Sequence, residues 1–193
     1  MKPLNGVSVT DVRNLNLLGL VRRCLRRGPL TPRRSGETAP PIELKDLSGA
    51  KMGLAGALQN GPVLVAFFKV NCITSQLTFP FLQRMHDMYS GANLTILGIS
   101  QNHRKDTRQF AKKFGINFPV LIDGKGYPAS NQYGLANSPT LFLIQPDGHI
   151  GLTSVGFSKA DLEAIAAEAA RATGKPALPL FQPEDAVPWS KPG

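Results

Sequence analysis

The chain is poor in the residues that most often announce a chemistry. Its 193 residues include two cysteines, three histidines and one tryptophan. Two cysteines cannot build a disulfide-rich secreted scaffold, and Cys24 and Cys72 are too far apart for a zinc-finger or dithiol motif. His86, His103 and His149 are scattered and form no metal-ligand cluster in the sequence. There is no phosphate loop, dinucleotide fingerprint or Ser-His-Asp arrangement. No apolar run reaches the roughly 18–20 residues of a membrane-spanning helix. Acidic residues are scarce as well, 13 against 22 Lys and Arg, a formal charge of +9. That excess does not mark a nucleic-acid-binding domain. Residues 1–35 hold eight basic residues and one acid, or +7, and the remaining 14 basic and 12 acidic residues leave only +2.

What is present points to one globular domain with appendages. The apolar share of 42% and charged share of 18% suit a chain able to bury a core. In residues 12–27, Leu17, Leu18, Leu20, Val21, Cys24 and Leu25 recur at helical spacing among arginines. Such a segment suits an amphipathic helix lying on an acidic surface or membrane, or an organelle transit peptide. A plain disordered tail or a misplaced translation start is the simpler reading. Four of its arginines follow the apolar stretch, opposite to the order of a secretory signal, so the cytoplasm is the expected compartment. Residues 1–40 are read as a basic tail, 41–173 as the domain and 174–193 as a Pro-rich tail.

Within the domain the punctuation is regular. Residues 62–69 form a continuous apolar run of strand length, expected to be buried on both faces. Helical spacing of Phe79, Leu82, Met85 and Met88 follows over residues 75–89, then a second apolar strand over 94–100. Strand, crossover helix and parallel strand make a βαβ unit. A charged helix is expected over 104–114, whose Lys105, Arg108, Lys112 and Lys113 read as a solvated face, then a short strand over 118–122. Residues 140–145 and 150–155 flank Pro146-Asp147-Gly148 as an antiparallel hairpin. Ser158 with Asp161 opens a last helix that ends at Gly174. Five prolines in the final 19 residues forbid more helix. That tail is expected to lie along the domain through Leu180, Phe181 and Trp189.

Cys72 lies just past the first buried strand and before the crossover helix. Unpaired N–H groups and the positive end of the helix dipole meet there, and both favour the nucleophilic thiolate. A small buried hydrophobe is the other reading of a lone cysteine. The run Val63-Leu-Val-Ala-Phe-Phe-Lys-Val-Asn-Cys72-Ile-Thr-Ser75-Gln resembles the active-site strand and helix of the thioredoxin-like redoxins, the broad alkyl hydroperoxide reductase/thiol-specific antioxidant and TlpA-like group. Tyr133-Gly-Leu-Ala-Asn-Ser138-Pro139-Thr140, running on to Pro146-Asp147-Gly148, resembles their proline loop and final hairpin.

The resemblance implies an α/β thioredoxin-like fold, a central mixed β-sheet with helices on both faces. It implies a catalytic Cys72 with Ser75 and Pro139 shaping the site, Pro139 being cis. It further implies that Ser138, Thr140 and Thr74 face an extended substrate. No metal or bound organic cofactor is implied. The partner would be a thiol or disulfide, protein or glutathione, with reduced thioredoxin as a candidate electron donor.

One departure matters. The dithiol Cys-x-x-Cys is here Cys72-Ile73-Thr74-Ser75, and serine cannot resolve a mixed disulfide. Three functions therefore compete. One is a monothiol redoxin completed by an external thiol, and another is a one-cysteine antioxidant peroxidase. The third is a non-catalytic thioredoxin-fold interaction module. The peroxidase pattern Pro-x-x-x-Thr/Ser-x-x-Cys is not met, since Val65 and Lys69 stand at its two other positions. Cys24 is a candidate resolving thiol only if its tail reaches Cys72. His103 and Arg104, after the second strand, are candidates for proton transfer and anion attraction, or simply part of a solvated loop.

Overall fold

The computed structural model describes residues 30–89 and 93–193. The amphipathic segment expected over residues 12–27, Cys24 included, lies outside them. Among the described residues no helix is long and apolar enough to cross a membrane.

Chain order is β1 (Glu43–Asp46), β2 (Lys51–Gly53), α1 (Leu54–Leu58), β3 (Val63–Phe68), α2 (Ile73–Met88), β4 (Thr95–Ser100), α3 (Arg104–Lys113) and β5 (Val120–Ile122). There follow α4 (Pro128–Gln132), β6 (Thr140–Ile144), β7 (Ile150–Val155), β8 (Phe157–Ser158), α5 (Lys159–Thr173) and β9 (Ser190–Lys191). Seven strands form one mixed sheet in the order β2-β1-β5-β4-β3-β6-β7. β3 runs parallel to β4 and antiparallel to β6, so the βαβ unit and the hairpin share the central strand. β8 and β9 form a separate two-stranded ribbon.

Alternation along β3 explains the layering. Leu64, Ala66 and Phe68 face a core shared with α2, α3 and α5, while Val63, Val65 and Phe67 face a second core with Leu54 of α1 and Ala129 of α4. With both faces covered, all six β3 residues are buried and the strand reads as an unbroken apolar run. The helix ends obey their local signals. The Ser158 hydroxyl accepts from the Asp161 N–H at the start of α5, and Gly174 adopts the left-handed conformation at its end.

The elements not anticipated are short. β1 and β2 hold four and three residues, α1 and α4 five each, and β1 carries three charges. β2 is the edge strand and β1 lies next to it, and neither has the apolar run that betrays a central strand.

Both segments read as tails make contacts with the domain. Residues 31–40 belong to the compact unit Thr31–Gly193. Gly36 donates to the Ile150 carbonyl, Arg33 to that of Tyr133, and Thr38 bridges to His149 beside the β6–β7 turn. At the other end Leu180 is fully buried, Phe181 packs on Phe81 and Phe157, and Arg84 grips Asp185 and the Leu180 carbonyl. Trp189 departs from expectation, since it is 81% exposed, with the Lys159 ammonium over its ring. Prolines bar helix from residues 174–193 without barring packing.

Candidate functional site

Cys72 is the N-cap residue of α2, with extended backbone angles and its carbonyl accepting from the Gln76 N–H. The loop carrying it is pinned from three directions. Asn102 Oδ1 accepts from the Val70 N–H at 2.9 Å, and Gln76 Nε2 donates to the Val70 carbonyl at 2.9 Å. Ser138 Oγ accepts from the Lys69 N–H at 2.9 Å. Asn102 is held in turn by its own N–H on Ser100 Oγ, a buried hydroxyl paired with Thr107.

The proline loop closes the other side. The Ser138–Pro139 peptide bond is cis, as the resemblance implied. The Cys72 thiol donates to the Ser138 carbonyl at 2.9 Å, and Ser75 Oγ lies 3.1 Å from Ser138 Oγ. Ser75, standing where a dithiol enzyme carries its second sulfur, is fully buried beneath the thiol. Cys72 itself is half-buried and is the one free cysteine among the described residues.

The electrostatics are a contest with a clear sign. Burial pushes the Cys72 thiol up, since a charge is worse solvated there. The Ser75 N–H and hydroxyl, the Thr74 N–H and the Ser138 hydroxyl all stabilise the thiolate and bring the pKa below the ordinary thiol value. The Ser138 carbonyl, an acceptor, favours the protonated thiol and opposes them. The donors prevail, helped by the dipole of a 16-residue helix aimed at the sulfur. Chemically this is a solvent-reachable, acidified thiol with hydroxyl donors around it and no second thiol in its motif.

Not all the expected residues meet there. Ser75, Ser138 and Pro139 surround Cys72 as anticipated. Thr74 lies beside the thiol, but its hydroxyl donates to the Pro192 carbonyl at 2.8 Å. Thr140, expected to face substrate, is fully buried. Its hydroxyl donates to the Asn137 carbonyl, so it braces the proline loop from below. The reason is positional, since Thr140 begins β6 between Phe67 and Val155 in the sheet. Arg104 lines an open cavity of about 760 Å³ with Lys45, Met52 and Pro128, and no residue named around Cys72 contributes to it. His103 caps α3 with its backbone alone. His86 packs against the Phe118 ring and His149 pairs with Asp147.

Sequence reasoning missed Asn102, Gln76 and the approach of Pro192 and Gly193. Asn102 had a signal, because it follows β4, the parallel strand beside β3, on the edge where the β3–α2 loop carries Cys72 and where such sheets place ligands. The approach of residues 192 and 193, over a hundred positions away, had none.

The AhpC/TSA family profile matches residues 35–153. Thiol-disulfide oxidoreductase ResA of Geobacillus thermodenitrificans is 30% identical over 116 residues, which cover 60% of this chain and 66% of that protein, just under two thirds of its length. Thioredoxin-like protein YneN of Bacillus subtilis is 29% identical over 135 residues, 67% of this chain and 77% of the relative. Among solved structures, a thiol-disulfide oxidoreductase from Bacteroides fragilis superposes with a TM-score of 0.61 at 24% identity, covering 70% of this chain and 98% of that one. Peroxidoxin BcpB from Mycobacterium tuberculosis gives 0.60 at 21% identity, covering 72% and 94%. At those identities the two structures speak for the thioredoxin-like fold alone. With the profile spanning more than half its length, and with the cis-proline loop facing Cys72 across the same sheet edge, the chain belongs to the AhpC/TSA family.

Proposed function

We propose that the protein is a thiol-disulfide oxidoreductase working through one nucleophile, Cys72, with an external thiol completing each turnover. The observation that carries this reading is the convergence of the Ser75 and Ser138 hydroxyls and the first N–H groups of α2 on a single half-buried sulfur. The names of the ResA relatives support the reaction class.

In the first step the Cys72 thiolate attacks one sulfur of a substrate disulfide, R–S–S–R′. The Cys72–S–S–R bond forms, the S–S bond of the substrate breaks, and R′–S⁻ leaves with the electron pair. In the second step an external thiolate of the glutathione class attacks the R sulfur or the Cys72 sulfur. In one case it leaves with R as a new mixed disulfide, and in the other R–S⁻ departs and the external thiol caps Cys72 until a second equivalent removes it. No internal sulfur is required, in keeping with serine at position 75. Ser75 and Ser138 hold negative charge on Cys72 when it attacks and when it leaves.

A peroxidase reading finds less support. Val65 is buried within β3 and Lys69 contributes its backbone N–H to Ser138, so neither supplies the hydroxyl or ordered proline of that motif. The test is mass spectrometry after exposure to oxidised glutathione. A glutathione adduct on Cys72, absent in Cys72→Ser and removed by added thiol, is expected. Hydroperoxide consumption without any adduct would favour the peroxidase. Alkylation of Cys72 no faster than that of an ordinary thiol would leave only a binding module.

A further inference from the structure

The last four residues of the described chain run past Thr74 and the proline loop beside Cys72. After Leu180, Phe181 and Asp185 anchor the tail, the Trp189 carbonyl accepts from the Lys159 N–H at 2.9 Å, and β9 pairs with β8 through Ser190 opposite Ser158 and Lys191 opposite Phe157. The chain then crosses the mouth of the site. The Thr74 hydroxyl donates to the Pro192 carbonyl at 2.8 Å, and Asn137 Nδ2 donates to the Gly193 carbonyl at 3.1 Å. Gly193 lies so close to the proline loop that a Cβ on it would meet the Ser138 oxygen at 2.6 Å and the Ser138 nitrogen at 3.0 Å. That same oxygen accepts the Cys72 thiol. Strap and nucleophile thus converge on one residue.

We propose that Ser190–Gly193 is an internal strap occupying the polypeptide-docking groove of Cys72, so that a polypeptide disulfide must displace it while a small disulfide need not. This rests on the redox reading above and adds the regulation of its site. Three features make the strap a displaceable occupant. Its contacts to Thr74 and Asn137 are made by backbone carbonyls, which any extended polypeptide could present in their place. Its own hold is slight, a two-residue ribbon whose β9 side chains are exposed. Finally, its anchor is separate, because the buried Leu180 and the Arg84–Asp185 pair hold the chain upstream of Pro188. Two glycines let it lie flat. Gly193 is one. Gly156, at φ +80°, is the other, with no Cβ to strike the Lys191 carbonyl at 2.5 Å.

The test uses the full chain, the variant Gly193→Ala, whose methyl group cannot occupy the glycine's place, and a chain truncated after Pro188. All carry Cys24→Ser so that Cys72 alone reports. Two probes share the leaving group thionitrobenzoate, one on free cysteine and the other on the cysteine of a Ser/Gly-rich extended peptide. Its release is followed by colour. If the strap covers the groove about nine-tenths of the time, freeing it raises the peptide rate about tenfold. The free-cysteine rate should change by less than about twofold over the same variants, because the leaving group is matched. Trp189, the one tryptophan of the chain, reports the strap directly, and its fluorescence anisotropy should fall in Gly193→Ala. Equal peptide rates in the full and truncated chains, with exchange proceeding, overturn the strap alone. Loss of exchange with both probes in every form, while Cys72 is still alkylated, overturns the redox reading and the gating with it. Unchanged thermal melting of the truncated chain separates gating from misfolding.

Discussion

Ser75 replaces a sulfur with a hydroxyl, and removing that hydroxyl isolates its effect on the thiol beside it. In Ser75→Ala the backbone N–H groups of positions 74 and 75 still face Cys72, and Ser138 Oγ keeps its bond from the Lys69 N–H. One donor to the thiolate is lost. A hydrogen bond to a charged group contributes about 1.5–3 kcal/mol, and halving it for the solvent that reaches a half-buried sulfur leaves about 0.7–1.5 kcal/mol. That moves the thiol pKa upward. The assay is the rate of iodoacetamide alkylation against pH. Below both pKa values the thiolate fraction falls about three- to tenfold, and part of that is returned because a more basic thiolate is more nucleophilic, with a Brønsted coefficient of about 0.4–0.5. The variant should therefore react about two- to fourfold more slowly at low pH and about twofold faster on the alkaline plateau. A crossing of the two profiles is the signature. Profiles that superimpose, or a variant midpoint below that of the parent, would refute the assignment of Ser75 as a donor. Stability follows the same linkage. Because the folded thiol is more acidic than the unfolded one, its contribution is full above the unfolded pKa near about 8.5 and disappears as pH falls through the lowered folded value. Ser75→Ala should narrow that window, visible in denaturation midpoints measured against pH.

Two further variants probe the scaffold. Ser75→Cys restores a resolving sulfur one helical turn from Cys72. On oxidation the introduced thiol should form a disulfide with Cys72, and it should release a reduced substrate without an external monothiol, read by the loss of glutathione adduct in mass spectra. Failure to form that disulfide would mean the site has drifted from dithiol geometry in more than one atom. Gly134→Ala tests the docking of residues 31–40. Gly134 sits at φ +70° with the Thr31 carbonyl 2.0 Å from where a Cβ would stand. The variant should lose about 1–3 kcal/mol in chemical denaturation. Trypsin should also cut faster at Arg33 and Arg34, and unchanged cleavage there would contradict the packing.

The fold was legible where one face or both of an element is buried by many apolar residues. β3 and β4 announced themselves as unbroken apolar runs, and α5 by its cap, its Ala-rich body and its terminal glycine. β1, β2, α1 and α4 were not legible, because three to five residues are too few for a periodicity and their placement depends on what they pack against. In the site, Cys72 was readable from its place between a buried strand and a helix start, whereas Ser75 and Pro139 were readable only through the family resemblance of the motifs around them. Thr140 shows the limit. Its neighbours in sequence line the site, yet strand alternation turns its hydroxyl inward to brace the loop. The tail shows the opposite limit, since its apolar residues read alike as contacts along the domain, yet Leu180 and Phe181 pack on a core that only the folded chain creates while Trp189 stays exposed.

The acidified thiol has a temporal consequence. Ser138, which accepts the Cys72 thiol and presents its hydroxyl to it, lies 66 residues further along the chain, and the partner of Thr74 lies 118 residues beyond it. A ribosome delivers Cys72 long before it delivers either. Until the first turn of α2 is held in place, this cysteine is an ordinary thiol ahead of an unsupported helix, mostly protonated and slow to exchange. Its reactivity arrives with the tertiary structure, and its cover arrives after that. The nascent chain is thereby spared premature mixed disulfides, and Cys72 alkylation during refolding becomes a clock for the moment the start of α2 takes its folded form.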